Sequence, residues 1–188
     1  MNEIEIGPGK RARVGYSFDD IAIVPSRRTR DPEDVSINWQ IDAYKFSIPM
    51  MAAPMDSVVS PETAIAIGKL GGLGVLNLEG LWTRHEDPRI QLGEIASMPQ
   101  DKAIRRMQEL YSEPIRPELI KERIAQIRAS GVTVGAALSP QRTAEHAKAV
   151  IDAGVDIFVI RGTTVSAEHV SAQIAPLNLK KFIYELDV

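Results

Sequence analysis

The most regular feature of the chain is a repeat in which a helix-like stretch is followed by glycine and then by a short apolar run. Three copies are visible, at residues 65–76, 120–138 and 144–160. Apolar residues in the helical stretches recur every three or four positions, as do Ile120, Ile124 and Ile127. Ser60 and Ser139 each precede a proline, which is typical of a helix start. The pattern predicts helices that alternate with strands.

The short apolar runs lack the alternation expected of a half-exposed strand. In the run Val155–Ile160, almost every residue is apolar. Strands that are covered on both faces have this composition, and they are typical of parallel sheets. Four such strands are predicted, at Ile48–Ala53, Leu73–Leu76, Val132–Leu138 and Val155–Ile160.

Two regions depart from this rhythm. Residues 1–47 do not show the repeat, and the runs Ile21–Val24 and Ser36–Ile41 predict a small antiparallel pair there. The polar stretch Asn77–Gly131 separates the second and third predicted strands. Its periodicity predicts two helices, at Met98–Tyr111 and Pro117–Ser130.

Alternating strands and helices indicate an α/β fold with right-handed crossovers. A closed, doubly wound five-stranded sheet is one alternative, and half of a (β/α)8 barrel, which needs about 250 residues in full, is the other. Four units and the first residue of a fifth strand, Val188, favour the half-barrel. We therefore predict one incomplete catalytic barrel domain over 1–188, with an N-terminal extension at 1–47 that holds a short β segment, and the first four βα units at 48–188.

Composition narrows the functional classes. The 188 residues carry a formal net charge of -3, which disfavours a nucleic-acid binder. The chain has no cysteine, so it can hold no disulfide, thiolate zinc site or cysteine nucleophile. No apolar run approaches the roughly 20 residues of a membrane span, and no secretion signal is visible. These features predict a cytoplasmic protein that binds neither nucleic acid nor membrane.

Ligands of such folds meet the carboxyl ends of the parallel strands. Four segments at predicted strand ends therefore matter, namely Ala53–Ser57, Asn77–Gly80, Ser139–Gln141 and Arg161–Thr164. The polar segment Arg161-Gly162-Thr163 follows the fourth predicted strand. Its arginine offers a planar fork for phosphate or carboxylate, although a surface arginine in an ordinary turn is the alternative. Asp56 follows the first strand, where it could contact a ligand hydroxyl or fix the loop by bonding backbone amides. Both interpretations stay open.

Other candidate chemistry has little support in the sequence. His85, His146 and His169 show no metal-ligand spacing and are expected to be solvated. Ser57 and Ser139 lack a nearby histidine and acid, so hydrolase chemistry is not indicated. The residues alone predict an α/β enzyme scaffold with no assigned catalytic residue and no metal site.

Three segments change this picture through a family resemblance. Phe18-Asp19-Asp20-Ile21, Ile48-Pro49-Met50-Met51-Ala52-Ala53-Pro54-Met55-Asp56-Ser57-Val58 and Gly71-Gly72-Leu73-Gly74-Val75 resemble the IMP dehydrogenase/GMP reductase family in order and spacing. Val134-Gly135-Ala136-Ala137 and Ala153-Gly154-Val155-Asp156 continue the resemblance, which runs from about residue 15 to the end. It is strongest to the IMP dehydrogenase-related branch that has no CBS domains.

The resemblance implies a (β/α)8 barrel, usually a homotetramer, that binds a purine nucleotide (IMP, GMP or XMP) and NAD or NADP. It also implies a monovalent cation in the full-length enzyme. The family's mechanism uses a cysteine thiolate that attacks the purine, after which hydride passes between the purine and the nicotinamide. Dehydrogenation of IMP and reductive deamination of GMP both follow this scheme.

Site residues are carried over by position. Ala53 and Met55 lie where the family's first-strand loop touches the nucleotide, and Asp56 matches the acidic position beside them. Arg161, Gly162 and Thr163 stand where the family has an Asp-Ser-Ser segment facing the dinucleotide, so we hypothesise that Arg161 favours NADP or otherwise alters cofactor choice.

Two absences qualify the family prediction. The stretch between the second and third strands is too short for a paired CBS insertion, so regulation through that module is not expected. The family's nucleophilic cysteine falls beyond Val188, and we therefore predict that these 188 residues alone are inactive. The alternatives are a non-catalytic truncated barrel or assembly partner, and a different barrel enzyme acting on phosphorylated sugars.

Overall fold

The computed structural model describes residues 3–25, 27–162 and 177–185, which fall into two compact units, Met1–Ser36 and Ile37–Val188. The first unit opens with an antiparallel hairpin of strands β1 (Glu3–Gly7) and β2 (Lys10–Arg13). Two short 3-10 turns follow, at Phe18–Asp20 and Pro32–Asp34. The predicted strand at Ile21–Val24 is wrong: these residues are exposed and pair with no other strand of the described chain.

The second unit begins with another hairpin, formed by β3 (Trp39–Ile41) and β4 (Tyr44–Phe46). The run that begins at Ser36 therefore contributes a strand, as predicted, but its partner is the segment that follows it directly. Asp42 makes the tight turn with a φ of 47°, a conformation that aspartate tolerates better than most residues. The rings of Trp39 and Phe46 stack across the hairpin with centroids 4.6 Å apart.

Four parallel strands form the main sheet, in the order β5-β6-β7-β8, which confirms the predicted α/β class. The strands are β5 (Met51–Ala52), β6 (Leu73–Asn77), β7 (Gly135–Leu138) and β8 (Ile157–Ile160). Each was predicted within a few residues. Sequential neighbours with parallel pairing require a helical crossover between every two strands, and the sequence repeat supplies these crossovers.

Six α-helices accompany the strands in the described residues. They are α1 (Pro61–Lys69), α2 (Arg89–Ser97), α3 (Gln100–Ser112), α4 (Pro117–Arg128), α5 (Pro140–Asp152) and α6 (Leu179–Glu185). The start of α1 is a capping box, in which the Ser60 hydroxyl accepts from the Thr63 amide and the Thr63 hydroxyl accepts from the Ser60 amide. The two helices predicted after β6 correspond to α3 and α4, whereas α2 was not predicted.

The core lies mainly between the sheet and its crossover helices. Leu76 and Leu138 from the strands pack with Ile120, Ile124 and other side chains of α4 in one fully buried cluster. Complete burial of such a side chain contributes about 1.5–3 kcal/mol, so this layer provides most of the hydrophobic stabilisation. A smaller cluster packs Leu73 and Val75 against the β3–β4 hairpin.

Strand β8 differs from the inner strands because only one of its sides is paired. Within the described residues it hydrogen-bonds only to β7, and all four of its residues are half-buried. An apolar groove of about 510 Å³ lies beside it, lined by side chains of β8, α6 and the β3–β4 hairpin. The ring of Phe158 meets that of Phe182 edge to face across the groove, with centroids 6.1 Å apart.

Among the residues that the structure describes, no helix combines the length and the apolar character needed to cross a membrane.

Candidate functional site

Three chain segments meet at the carboxyl ends of the parallel strands. Asn77 is the last residue of β6, Arg161 directly follows β8, and Asp56 lies in the turn after β5. An Arg161 guanidinium N–H donates to the Asn77 side-chain oxygen at 3.2 Å, and the Asn77 amide group donates to Asp56 at 3.3 Å. The edge of the sheet thus joins residues that are separated by 21 and 84 positions in sequence.

Asp56 is the centre of this cluster and is 8% exposed. Besides Asn77, its carboxylate accepts from the Leu81 backbone N–H at 2.6 Å and from the Tyr111 hydroxyl at 2.5 Å. A buried carboxylate is stable when its lone pairs are occupied by donors, as they are here. These contacts are those expected if Asp56 fixes its loop, which was one of the two interpretations left open by the sequence. Contact between Asp56 and a ligand hydroxyl, the other interpretation, remains a prediction.

Tyr111 reaches the cluster from the end of α3. Burial raises the pKa of its phenol well above the usual value, and the hydrogen bond to the Asp56 carboxylate adds to the shift. The phenol therefore keeps its proton at neutral pH and acts as a donor. The guanidinium carbon of Arg84 lies 5.9 Å from the Tyr111 ring centroid, within the range of a cation–π contact.

Arg84 is the second cation at this end of the sheet. Burial, followed by the nearby charge of Arg142, lowers its pKa, but an arginine stays charged in proteins. Its guanidinium donates to the backbone carbonyls of Glu79, at 3.2 Å, and Glu113. No carboxylate forms a salt bridge with Arg84 or Arg161 in the described part of the chain.

A pocket of about 470 Å³ opens beside this cluster. Its polar side comes from the strand ends and carries Asp56, Asn77 and Arg161, with Tyr111 at the boundary. Its other side is apolar and is supplied mainly by α2 and α3. Met55, from the loop after β5, also lines it and is 49% exposed. A concave apolar site with few convergent polar groups is typical of small-molecule binding.

The predicted site residues are distributed unevenly around this pocket. Met55, Asp56 and Arg161 line it together. Ala53 and Gly162 lie within the described residues but do not line the pocket; the Ala53 carbonyl accepts from the Met55 amide at 2.8 Å. Thr163 lies outside the described residues.

Sequence reasoning placed Asn77 in a strand-end segment without assigning it to the site, and it missed Tyr111 and Arg84. Asn77 carried a usable signal, because it is the polar residue that ends an apolar strand. Tyr111 and Arg84 gave none, since Tyr111 is 55 positions from Asp56 and both lie in a polar stretch without a motif. The Glu79 carboxylate also accepts from the Ser139 amide, which links two strand-end segments predicted to lie together.

The expectation that the histidines are solvated is wrong for His146. It is 5% exposed on α5, and its Nε2 lies 3.6 Å from the Glu145 carboxylate. His85 is half-buried, and His169 lies outside the described residues. In the chain's described ranges, no group of three or more histidine, aspartate or glutamate side chains is placed to hold a metal ion.

Comparison with known proteins gives this site a family context. Residues 15–187 match the model of the IMP dehydrogenase/GMP reductase domain. Uncharacterized oxidoreductases of Mycolicibacterium smegmatis and Mycobacterium tuberculosis are 48% and 49% identical over 98% of this chain and 51% of their own length. An inosine-5'-monophosphate dehydrogenase of Methanocaldococcus jannaschii is 39% identical over 66 residues, 35% of this chain and 13% of that protein.

A solved structure shows the same fold over nearly the whole chain. The crystal structure of an IMP dehydrogenase/GMP reductase-like protein from Corynebacterium glutamicum superimposes with a TM-score of 0.85 and 49% identity. The match covers 99% of this chain and 50% of that one, so this chain spans about half the length of these relatives. The predicted architecture, the N-terminal half of a (β/α)8 barrel, is confirmed. The chain belongs to the IMP dehydrogenase/GMP reductase family of oxidoreductases.

Proposed function

We propose that this chain is the N-terminal half of an NAD(P)-dependent oxidoreductase of purine nucleotides, of IMP dehydrogenase or GMP reductase type. The observation that supports the proposal is the strand-end pocket. It brings Met55 and Asp56, from the first-strand loop, next to Arg161, which follows the fourth strand. The family resemblance assigned the first two to the purine nucleotide and the third to the dinucleotide. Their convergence in one pocket is the arrangement that hydride transfer between the two ligands requires.

The residues present fit a dinucleotide cofactor. Arg161 has no carboxylate partner among the described residues and is exposed at the pocket mouth, where a phosphate would complement its charge. Of the positions expected to hold NAD or NADP, Arg161 and Gly162 lie at the carboxyl end of β8. The bound dinucleotide supplies hydride chemistry, and the protein residues position it. The cationic Arg161 favours NADP, which carries one more phosphate.

The purine nucleotide side is assigned to the loop after β5. Ala53 provides backbone contacts, Met55 presents an apolar side chain to the base, and Asp56 holds the loop rigid through its hydrogen bonds. The thiolate of the family's mechanism has no counterpart in these 188 residues, because they contain no cysteine. The chain alone therefore binds nucleotide without turning it over, and the complete protein acts as a cytoplasmic homotetramer.

Calorimetric titration of the chain with IMP, GMP, NAD and NADPH in separate experiments tests this proposal. We expect binding of at least one purine nucleotide, and tighter binding of NADPH than of NAD. Absorbance at 340 nm with IMP plus NAD, and with GMP plus NADPH, should stay constant for the chain and change for the complete protein. If the chain binds none of the four ligands, the proposal is wrong. If the chain alone turns over either substrate pair, the catalytic step does not depend on the part of the protein outside these 188 residues.

A second candidate function rests on the free side of β8. The strand pairs only with β7 in the described residues, and an apolar groove lies beside it. An unpaired edge of this kind is a ready template for another strand. Under this candidate, the chain is a non-catalytic partner that assembles through its sheet edge. Sedimentation of the chain at micromolar concentration as a stable oligomer, together with absent nucleotide binding, would favour it.

A further inference from the structure

The segment between β6 and α4 departs from a simple strand–helix unit. Helix α4 packs against α1 and α5, as expected of the crossover helix of this unit. The turn Leu81–Thr83 and helices α2 and α3 are therefore an insertion at the carboxyl end of β6. The two helices pack against each other, and the base of the insertion is closed by a hydrogen bond from the Arg116 amide to the Thr83 carbonyl at 2.8 Å.

Polar contacts fasten this insertion to the strand ends. The Tyr111 hydroxyl, from the last turn of α3, donates to Asp56 at 2.5 Å. Arg84 lies over the Tyr111 ring and bonds the carbonyl of Glu113, just beyond the end of α3. Hydrogen bonds to ionised groups are stronger than those between neutral groups, so these contacts hold the helix pair at the pocket.

The insertion presents apolar side chains to the pocket. Leu92, Ile95 and Ala96 of α2 and Met107 of α3 line one side of it, opposite the strand ends. Met107 is 38% exposed, so its side chain is open to a molecule that enters the pocket.

The polar side of the pocket offers few free hydrogen-bonding groups. Asp56 and Asn77 bond other protein groups, and the Tyr111 hydroxyl donates to Asp56. The Arg161 guanidinium has five N–H donors, and Asn77 is the one described residue whose side chain accepts from it. The pocket therefore offers an apolar surface on one side and a cation on the other, which suits the ring of a nucleotide and a phosphate.

We propose that the α2–α3 insertion forms the ring-binding wall of the site. A planar heteroaromatic ring of a bound nucleotide lies between Met55 and the apolar face of Ala96 and Met107, while Arg161 faces a phosphate of the dinucleotide. This inference rests on the proposed function and adds to it a group of binding residues on α2 and α3. The ring belongs either to the purine nucleotide or to the dinucleotide, and separate titrations with IMP and NADPH distinguish the two.

Charge substitutions on the wall, with matched controls on the same helices, test this inference. Ala96→Glu and Met107→Glu each place a carboxylate in the pocket from an exposed position, which should leave the fold intact. Ile90→Glu on α2 and Ile104→Glu on α3 add the same charge at exposed positions that do not line the pocket. Affinities for IMP and for NADPH are measured by calorimetry, and circular dichroism verifies folding.

We expect both wall variants to weaken the binding of the same ligand by about tenfold or more, since a desolvated carboxylate opposes both the ring and the phosphate. Both control variants should keep the affinity of the unmodified chain within about twofold. The ligand that is affected, IMP or NADPH, identifies the ring that the wall holds.

The outcomes separate this inference from the proposed function. If the unmodified chain binds IMP or NADPH and both wall variants bind as tightly, the wall assignment is overturned and the proposed function stands. Equal losses in wall and control variants also overturn it, because a general charge effect would explain them. If the unmodified chain binds neither ligand, both proposals fall.

Discussion

The two ends of the parallel sheet carry aspartate networks with the same parts. At the carboxyl ends, Asp56 accepts from a backbone amide and from the Tyr111 hydroxyl. At the amino ends, Asp156 accepts from the Val134 amide at 2.8 Å and from the Tyr44 hydroxyl at 3.3 Å. The Asp56 carboxylate is buried and lines a pocket together with Arg161, which has no salt bridge to any residue that the structure describes. The Asp156 side chain is 20% exposed and lies 3.5 Å from Arg128.

The comparison shows that similar hydrogen bonds can serve different tasks. In β/α barrels, residues at the carboxyl ends of the strands serve ligand binding, whereas those at the amino ends serve stability. Asp156 fastens the start of β8 to the residue before β7, and its charge is balanced by Arg128. Asp56 fastens the insertion to the sheet and thereby shapes the pocket.

The largest expected difference between the two ends concerns loss of the carboxylate. Asp56→Ala leaves the buried Leu81 amide without an acceptor and also removes the partners of the Asn77 amide group and of the part-buried Tyr111 hydroxyl, and we expect it to lower the free energy of unfolding by about 3 kcal/mol. Asp156→Ala frees the buried Val134 amide, but its other partner is Tyr44 through a longer bond of 3.3 Å and the Asp156 carboxylate is already partly hydrated, so we expect about 1.5 kcal/mol. Urea unfolding followed by circular dichroism measures both, and an equal or larger cost for Asp156→Ala would contradict the assignment.

A smaller effect is expected from the glycine beside each network. A Cβ at position 80 would lie 1.8 Å from the Asp56 Oδ1 atom, so Gly80→Ala must displace that carboxylate, at a cost of about 2 kcal/mol. A Cβ at position 154 would meet the flexible Arg128 guanidinium at 3.0 Å, and the φ of +84° adds strain of about 1 kcal/mol. In thermal unfolding, Gly80→Ala should show the larger decrease in melting temperature. The reverse order would show that the Asp56 contacts can be displaced without loss of stability.

The smallest effect is the loss of a single hydroxyl. Tyr111→Phe keeps the ring near Arg84 but removes one donor to Asp56, and we expect about 1 kcal/mol at neutral pH. Because the folded-state pKa of Tyr111 is raised, its contribution is complete below the ordinary tyrosine pKa of about 10 and is lost as the pH rises above it.

Urea midpoints between pH 8 and 11 measure this dependence. The unmodified chain should lose stability more steeply above pH 10 than Tyr111→Phe does. Tyr44→Phe is the matched variant at the other end: its phenol pKa is also raised, by burial and by Asp156, but its hydrogen bond is longer. If the two variants showed the same pH profile, the ends of the sheet would be energetically alike.

Much of the sheet could be predicted because its strands are continuous apolar runs between helices with clear stripes. The run Ile21–Val24 has the same composition, yet Ile23 is fully exposed and the segment forms no strand. Local composition cannot distinguish an apolar run that packs from one that does not, because packing depends on distant partners. Helix α2 was not predicted because Gly93 lies at its middle, and glycine has a low helix propensity.

The candidate site was predicted only where one segment carries several signals. Met55 and Asp56 belong to a motif-bearing loop, and Arg161 follows a recognisable strand, so all three were found. The contact between Tyr111 and Asp56 depends on how the insertion folds back over the strand ends. No periodicity or motif encodes that return, which is why the apolar side of the pocket was not foreseen.

The closed base of the insertion has a consequence for how such proteins diversify. Its two ends meet at the pairing of Arg116 with Thr83, so the chain leaves and rejoins the barrel at nearly one point. An insertion anchored in this way can be lengthened, shortened or exchanged while the strands keep their register. Selection can then alter what the molecule recognises through this insertion, as long as its contacts to Asp56 are kept.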